Sequence, residues 1–163
     1  HIGGMSNNFK YKQFDLNVFM QWSYGNETYN ANRLYLEGGT SVGFNTNQFA
    51  TYANRWTPEN RSNTIYRANA VGTRVYSTRF IEDASFIRLK TVQLGYTLPS
   101  VLSKKMKLRS ARVYSSAQNL LTFTNYSSTD PENSTRGNGL TAGYDFSAYP
   151  RAFTVTFGLN VSL

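Results

Sequence analysis

Residues 151–163, RAFTVTFGLNVSL, read as one strand in which apolar and polar positions alternate without a break from Phe153 on. Phe153, Val155, Phe157, Leu159, Val161 and Leu163 are apolar. Thr154, Thr156, Gly158, Asn160 and Ser162 between them are small or polar. Period two predicts a strand with one greasy face and one wet face. Residues 14–24 repeat the pattern. Phe14, Leu16, Val18, Met20, Trp22 and Tyr24 share one face, and Asp15, Asn17, Gln21 and Ser23 the other, with Phe19 as the exception. At about 3.3 Å per residue this stretch measures roughly 36 Å, enough to cross a bilayer when tilted. That is longer than the usual strand of about 5–6 residues in a sandwich. Trp22 and Tyr24 sit together at one end of the greasy face, where an interfacial aromatic belt would place them.

Residues 85–99 form a third strand whose phase slips. Ile87 and Leu89 are apolar at odd positions, Val92, Leu94 and Tyr96 at even ones, so the pattern changes near Lys90-Thr91. Two explanations stand: a β-bulge, or a strand leaving the bilayer there. Pro99 ends it, and residues 100–107 make a short basic connection. The next strand lies within residues 108–126, with Ala111, Val113, Ser115 and Ala117 on a smooth face opposite Arg112, Tyr114, Ser116 and Gln118. Residues 1–9 read as the end of a strand, and Tyr11-Lys12-Gln13 as a turn. Residues 26–79 and 125–150 are rich in Asn, Gly and Pro and read as long polar loops. Within the first, Phe49, Tyr52, Ala53 and Trp56 predict a short helix over residues 45–56, stopped by Thr57-Pro58. Connections thus alternate short and long, as in outer-membrane barrels. The chain is predicted to be all-β, built of antiparallel amphipathic strands from a transmembrane β-barrel. A soluble β-sandwich is the alternative.

Composition narrows the chemistry. Hydrophobic residues are 40% of the 163-residue chain, yet aromatics are 15%, which suits apolar residues spread one per two positions. No cysteine is present and the single histidine is His1, so disulfides, thiolate sites and histidine catalysis drop out. No apolar run is long enough for a transmembrane helix. No signal peptide opens the chain, which begins as if inside a strand and reads as a fragment of something longer. The net charge is +8, but apart from Lys104, Lys105, Lys107 and Arg109 the bases are scattered. No nucleic-acid motif accompanies them. Glu82 and Asp83 are neighbours on a strand and point to opposite faces, so they make no acid–base pair. Asp130, Glu132 and Asp145 could ligate calcium through oxygen, and Asx turns at Asp130-Pro131 and at Asp145 are the plainer reading.

Two residue sets carry the functional expectations. Trp56, Tyr126, Tyr144 and Tyr149 are loop aromatics able to stack on a ligand or meet a partner, and packing within the loops is the competing role. Asp15, Arg88, Lys90 and Arg112 are strand charges. None can face mid-bilayer lipid cheaply, so each is expected on the lumen side, or beyond the hydrocarbon, in reach of a plug.

Three motif groups add a resemblance. They are EDASFIRLKTVQLGYTLP at residues 82–99, RVYSSAQNLLTFTNYSSTDPE at 112–132, and YDFSAYPRAFTVTFGLNVSL at 144–163. Together with FKYKQFDLNVFMQWSYGNETYN at 9–30 and NRW at 54–56, this resembles the carboxyl-terminal end of the SusC/RagA-like TonB-dependent importers of Bacteroidota. Leu163 stands where such proteins commonly end in an aromatic. The resemblance implies that residues 1–163 are the carboxyl-terminal segment of a large (roughly 22-stranded) outer-membrane barrel with long outer loops, the plug lying outside this chain. It further implies import of glycans or peptides, a SusD-like surface lipoprotein as lid, energy relayed by TonB, no enzymatic activity and no cofactor. The alternatives are a soluble β-sandwich carbohydrate-binding module and a different outer-membrane barrel, such as an adhesin or enzyme.

Overall fold

The computed structural model describes residues 1–37, 47–68, 76–132, 134–135 and 142–163. It divides into two compact units. One comprises His1–Gly25, Ser85–Asn125 and Pro150–Leu163, the other Asn26–Ala84 and Tyr126–Tyr149.

The first unit is a five-stranded antiparallel sheet. Its strands are β1 (Ile2–Tyr11), β2 (Phe14–Ser23), β5 (Phe86–Thr97), β6 (Ser110–Thr124) and β8 (Thr154–Ser162), and they lie side by side in chain order. Each pairs only with its chain neighbours, so β1 and β8 are edges. Lys12 and Gln13 form the tight β1–β2 turn, with Lys12 in the left-handed region at φ 53°. The β5–β6 connection is short and contains a helix, α2 (Ser100–Lys105), begun by Pro99, whose φ of −55° suits a helix start. Both long excursions leave and rejoin the sheet at its opposite end, because Ser23 pairs with Phe86 and Phe86 with Thr124. The predicted alternation of short and long connections is therefore present.

The phase slip in β5 is a bulge. Thr91 pairs with Phe19 and Leu89 with Met20, leaving Lys90 as the extra residue. Across the other ladder, Asn119 and Leu120 stand between the pairs Thr91–Gln118 and Leu89–Leu121. Asn119 absorbs the irregularity with φ 53°, which asparagine tolerates better than most side chains. Its Nδ2 donates to the Ala152 carbonyl at 3.0 Å. The double bulge restores parity, so Ile87 and Leu89 share a face with Val92, Leu94 and Tyr96.

The second unit holds a three-stranded sheet in the order β4-β3-β7, from β3 (Glu27–Asn30), β4 (Ile81–Asp83) and β7 (Tyr144–Asp145). A helix, α1 (Ala31–Leu36), follows β3 directly, capped by the Asn30 side chain accepting from the Arg33 amide. Among the described residues of this unit, Ala31, Leu34, Phe80, Ala84 and Tyr126 are the buried apolar ones.

Three expectations change. Residues 26–79 are not irregular throughout, since β3 and α1 lie among them. The helix expected over residues 45–56 is a 3-10 turn, Ala50–Asn54, held by bonds such as Tyr52 N to Phe49 O at 2.9 Å. No side chain caps it, and Thr57-Pro58 closes off further turns; Asn45 and Thr46 lie outside the described residues. The last strand begins at Thr154 rather than Arg151.

Candidate functional site

Register assigns every sheet residue to a face. One face carries five cross-strand rows. The row at the short-connection end is Tyr11, Phe14, Tyr96, Val113 and Leu159. Next come Phe9, Leu16, Leu94, Ser115 and Phe157, then Asn7, Val18, Val92, Ala117 and Val155. Met5, Met20, Leu89 and Leu121 follow, and Gly3, Trp22, Ile87 and Phe123 close the set. No charged residue stands in any row. Phe9, Leu94, Phe157 and Leu159 are all exposed on this face. Five of the seven aromatics in these rows stand in the two outer ones. Phe14 and Tyr96 pack with ring centroids 4.8 Å apart at one end, and the Trp22 ring lies over Gly3 at the other. Sequence reading found Trp22 but missed the aromatic row at the short-turn end, because it put Tyr11 in the turn, where the structure makes it the last residue of β1, and because Tyr96 follows the phase slip. Tyr24, assigned to the belt, lies beyond β2.

The opposite face is polar, with Asn8, Asn17, Gln93, Ser116 and Thr156 in one row. Asp15, Arg88 and Arg112 are on this face. Arg112 bridges to Asp15 through Nε at 3.1 Å and Nη2 at 2.5 Å, spanning the intervening strand β5. The pair crosses directly over Gly95, where any Cβ would collide with it. The Arg112 guanidinium lies 5.2 Å from the centre of the Tyr114 ring, and that ring covers Gly158 on β8. Two mid-strand glycines, each a break in strand propensity, thus make room for one four-strand lock. Arg88 is 2% exposed. Its Nε donates to Thr122 Oγ1 at 2.9 Å and its guanidinium lies 5.4 Å from the Phe86 ring. Lys90 is the bulge residue, and Nζ donates to Gln21 Oε1 at 2.8 Å, which brings its charge to the polar side.

The loop aromatics do not share one role. Tyr126 is buried, and its hydroxyl donates to Asp145 Oδ2 at 2.8 Å; it belongs to the interior, not to an open stacking surface. Burial, with the Asp145 carboxylate behind it, pushes the Tyr126 phenol well above its ordinary value. Tyr144 is half-buried and stacks on Tyr29 with centroids 5.7 Å apart and planes at 5°. Tyr149 is 90% exposed. Trp56 is 38% exposed and lines a cleft of about 320 Å³ with Ile65, Tyr66, Arg67 and Arg79.

Glu82, set aside at the sequence level, is the hub of the loop unit. It accepts from Arg33 Nη1 at 2.9 Å, Asn30 Nδ2 at 3.1 Å, and both the amide and hydroxyl of Ser127 at 3.1 and 2.9 Å. Burial alone would raise its carboxyl, but the Ser127 and Arg33 hydrogen bonds outweigh it and hold Glu82 below the usual range. Arg33 also grips Glu37 with two bonds, at 3.1 and 2.9 Å. Asp130 Oδ1 accepts from the Glu132 amide at 2.9 Å, an Asx turn. Among the described residues no three acidic, histidine or cysteine side chains group as metal ligands.

Comparison with known proteins now bears on this two-faced sheet. TonB-dependent receptor P3 of Formosa agariphila is 38% identical over 97% of the chain, and SusC of Bacteroides thetaiotaomicron 29% identical over 97%. The RagAB peptide transporter structure superposes with a TM-score of 0.85 over 99% of the chain at 28% identity. Over nearly its whole length the chain is similar to a part of SusC/RagA-like TonB-dependent receptors. The chain spans only 16% of the P3 receptor, 14% of SusC and 17% of the matching RagAB chain. No protein-family model matches it.

Proposed function

We propose that this chain is a carboxyl-terminal wall segment of an outer-membrane active importer. The five strands stand in the barrel wall with the uncharged face against lipid and the face of Asp15, Arg88 and Arg112 toward the lumen. The long connections lie at the cell exterior and the short ones at the periplasm. The importer takes up glycans or peptides together with a SusD-like lipoprotein and draws energy through TonB. A plug and the remaining strands come from elsewhere in the same polypeptide. Exposed Tyr149 and half-exposed Trp56 are the proposed contacts to substrate or lid.

The observation that carries this reading is the charge-free apolar face, edged by aromatic rows at both ends. The ten residues of β2 measure about 33 Å. At a barrel tilt near 40° that becomes about 25 Å, the height of an outer-membrane apolar band. A soluble sandwich would cover such a face with a second sheet, and no described element of the sheet unit lies across it.

The test is the denatured mass of the polypeptide bearing this sequence in detergent-extracted outer membranes. Scaling the 18.5 kDa of this chain by its 16% share of the P3 receptor gives roughly 115 kDa. A species of that size, lost from the membrane only with detergent, supports the importer. A native 18.5 kDa species that stays in solution without detergent refutes it and favours the binding module.

A further inference from the structure

Charge is unevenly shared along the chain. The sheet unit contains one acid, Asp15, and Arg112 already neutralises it. No Asp or Glu occurs between residues 84 and 129. Against that background, exposed Lys104, Lys105, Lys107 and Arg109 cluster in the β5–β6 connection, and exposed Lys12 occupies the other short turn. None of these five has a carboxylate partner among the described residues.

The helix in that connection is inside out for a soluble protein. Val101 is 64% exposed, Leu102 50% and Met106, just past its end, 57%. Its one buried side chain is the small hydroxyl of Ser103. Lysines in a last helical turn suit the helix dipole, which accounts for Lys104 and Lys105. It accounts neither for Lys107, Arg109 and Lys12 nor for three large apolar side chains turned outward.

Apolar side chains interleaved with unpaired cations are what an interfacial segment requires. The apolar groups enter the acyl boundary while lysine stems reach back to the phosphates. The connection is also at the right level. Leu98 N bonds Ala111 O, Leu108 N bonds Ser103 O and Arg109 N bonds Ser162 O, each at 2.9 Å. The first and last of these bonds fasten it at the ends of β5, β6 and β8, one step beyond the aromatic row of Phe14 and Tyr96, and the middle one closes the connection on itself.

We propose that the short-connection end, α2 with Lys104, Lys105 and Lys107, is a docking surface for anionic phospholipid headgroups in the leaflet it meets. The inference rests on the wall reading above. A soluble anion does not fit as occupant, because it would leave Val101, Leu102 and Met106 uncovered.

The experiment uses the polypeptide carrying this sequence in phosphatidylcholine bilayers, with spin-labelled phosphatidylglycerol or phosphatidylcholine as reporter. The unmodified protein should prefer phosphatidylglycerol. Replacing Lys104→Ser, Lys105→Ser and Lys107→Ser together should lower that preference by up to roughly fivefold per lysine, and the matching Lys→Arg set should keep it. No preference in the unmodified protein, or none lost in the serine set, overturns the proposal. So does displacement of the labelled lipid by inorganic phosphate at matched ionic strength, which would mark a free-anion site. In parallel, a fluorophore at Leu159→Cys reports the wall reading through quenching by brominated lipid. Quenching without headgroup preference sinks the headgroup surface alone, and absent quenching sinks the wall itself.

Discussion

Leu89 and Val92 are three residues apart on one strand and would face opposite sides of a regular sheet. The Lys90 bulge puts them on the same face, with Arg88 and Gln93 on the other. Val92 stands in the third of the five apolar rows and Leu89 in the fourth, near the middle of the proposed bilayer crossing. A lysine on the lipid face of a barrel costs about 2–4 kcal/mol at the midplane. That is roughly a 30- to 1,000-fold loss in the folded-to-unfolded ratio. Leu89→Lys and Val92→Lys should each show a loss in that range. Gln93→Lys, beside Asn17 and Ser116 on the polar face, should stay within about 0.5 kcal/mol, as ordinary surface substitutions do. The assay is urea-controlled folding of the polypeptide into phosphatidylcholine vesicles, followed by fluorescence and by heat-modifiable migration. Equal penalties at Val92 and Gln93 would refute the two-faced wall. A harmless Leu89→Lys beside a costly Val92→Lys would refute the bulge and leave the wall standing.

Other consequences are local. Gly158→Ala should cost about 1–3 kcal/mol in the same folding assay, because a Cβ would meet the Tyr114 ring; adding Tyr114→Ala should recover part of it, a non-additivity that separate sites would not show. Glu82 titrates lower folded than unfolded, so its stabilisation is complete above about pH 4.5 and is lost as pH falls through its folded value. Hydrogen exchange at the Ser127 amide should therefore speed up on acidification, and Glu82→Gln should flatten that pH dependence. Tyr126→Phe leaves fully buried Asp145 without its hydroxyl donor and should destabilise the loop unit by about 1–3 kcal/mol in proteolysis-monitored unfolding. The raised Tyr126 also makes stability fall as pH climbs past about 10, where the unfolded phenol ionises and the folded one does not. The phenylalanine variant should lack that alkaline decline.

The strands were legible because their information is local. Alternation in residues 14–24 and 153–163 fixes both the element and its face. The phase slip at Lys90 marked the place but left a bulge and a strand leaving the bilayer both open; register decided for the bulge and showed that Asn119 shares it. The loop unit was far less legible. Its β3 and β7 are four and two residues long, too short for any period to show, and their parallel pairing joins residues more than a hundred positions apart. The role of Glu82 was hidden for the same reason. Opposite-face geometry set Glu82 apart from Asp83, and its partners Arg33 and Ser127 come from distant stretches. Tyr126 and Tyr149 look alike in sequence, both in a polar loop, and only tertiary burial separates an interior tyrosine from an open one. Asp15 and Arg112 were placed on the right face, while the lock they form needed Gly95 and Gly158 to be read as space rather than as weak strand residues.

The choice of cation follows the same division. All six lysines, Lys10, Lys12, Lys90, Lys104, Lys105 and Lys107, fall in the sheet unit, and the bases of the loop unit are all arginines. Where a cation is fixed between partners the planar fork is the better instrument. Arg33 holds Glu37 and Glu82 together, and Arg79 lies 4.9 Å from the Tyr66 ring while reaching Glu37 at 3.5 Å. A lysine could not hold two carboxylates with a planar fork or stack flat on a ring. At the short-connection end the requirement reverses. There the charge must follow mobile headgroups from a flexible stem, and a compact ammonium with free rotation does this without fixed geometry. Within the sheet, Arg112 is locked between Asp15 and Tyr114, and Arg88 between Thr122 and Phe86, like their counterparts in the loops. The arginines that bridge partners thus build the fold, while Lys104, Lys105 and Lys107 stand without a carboxylate among the described residues.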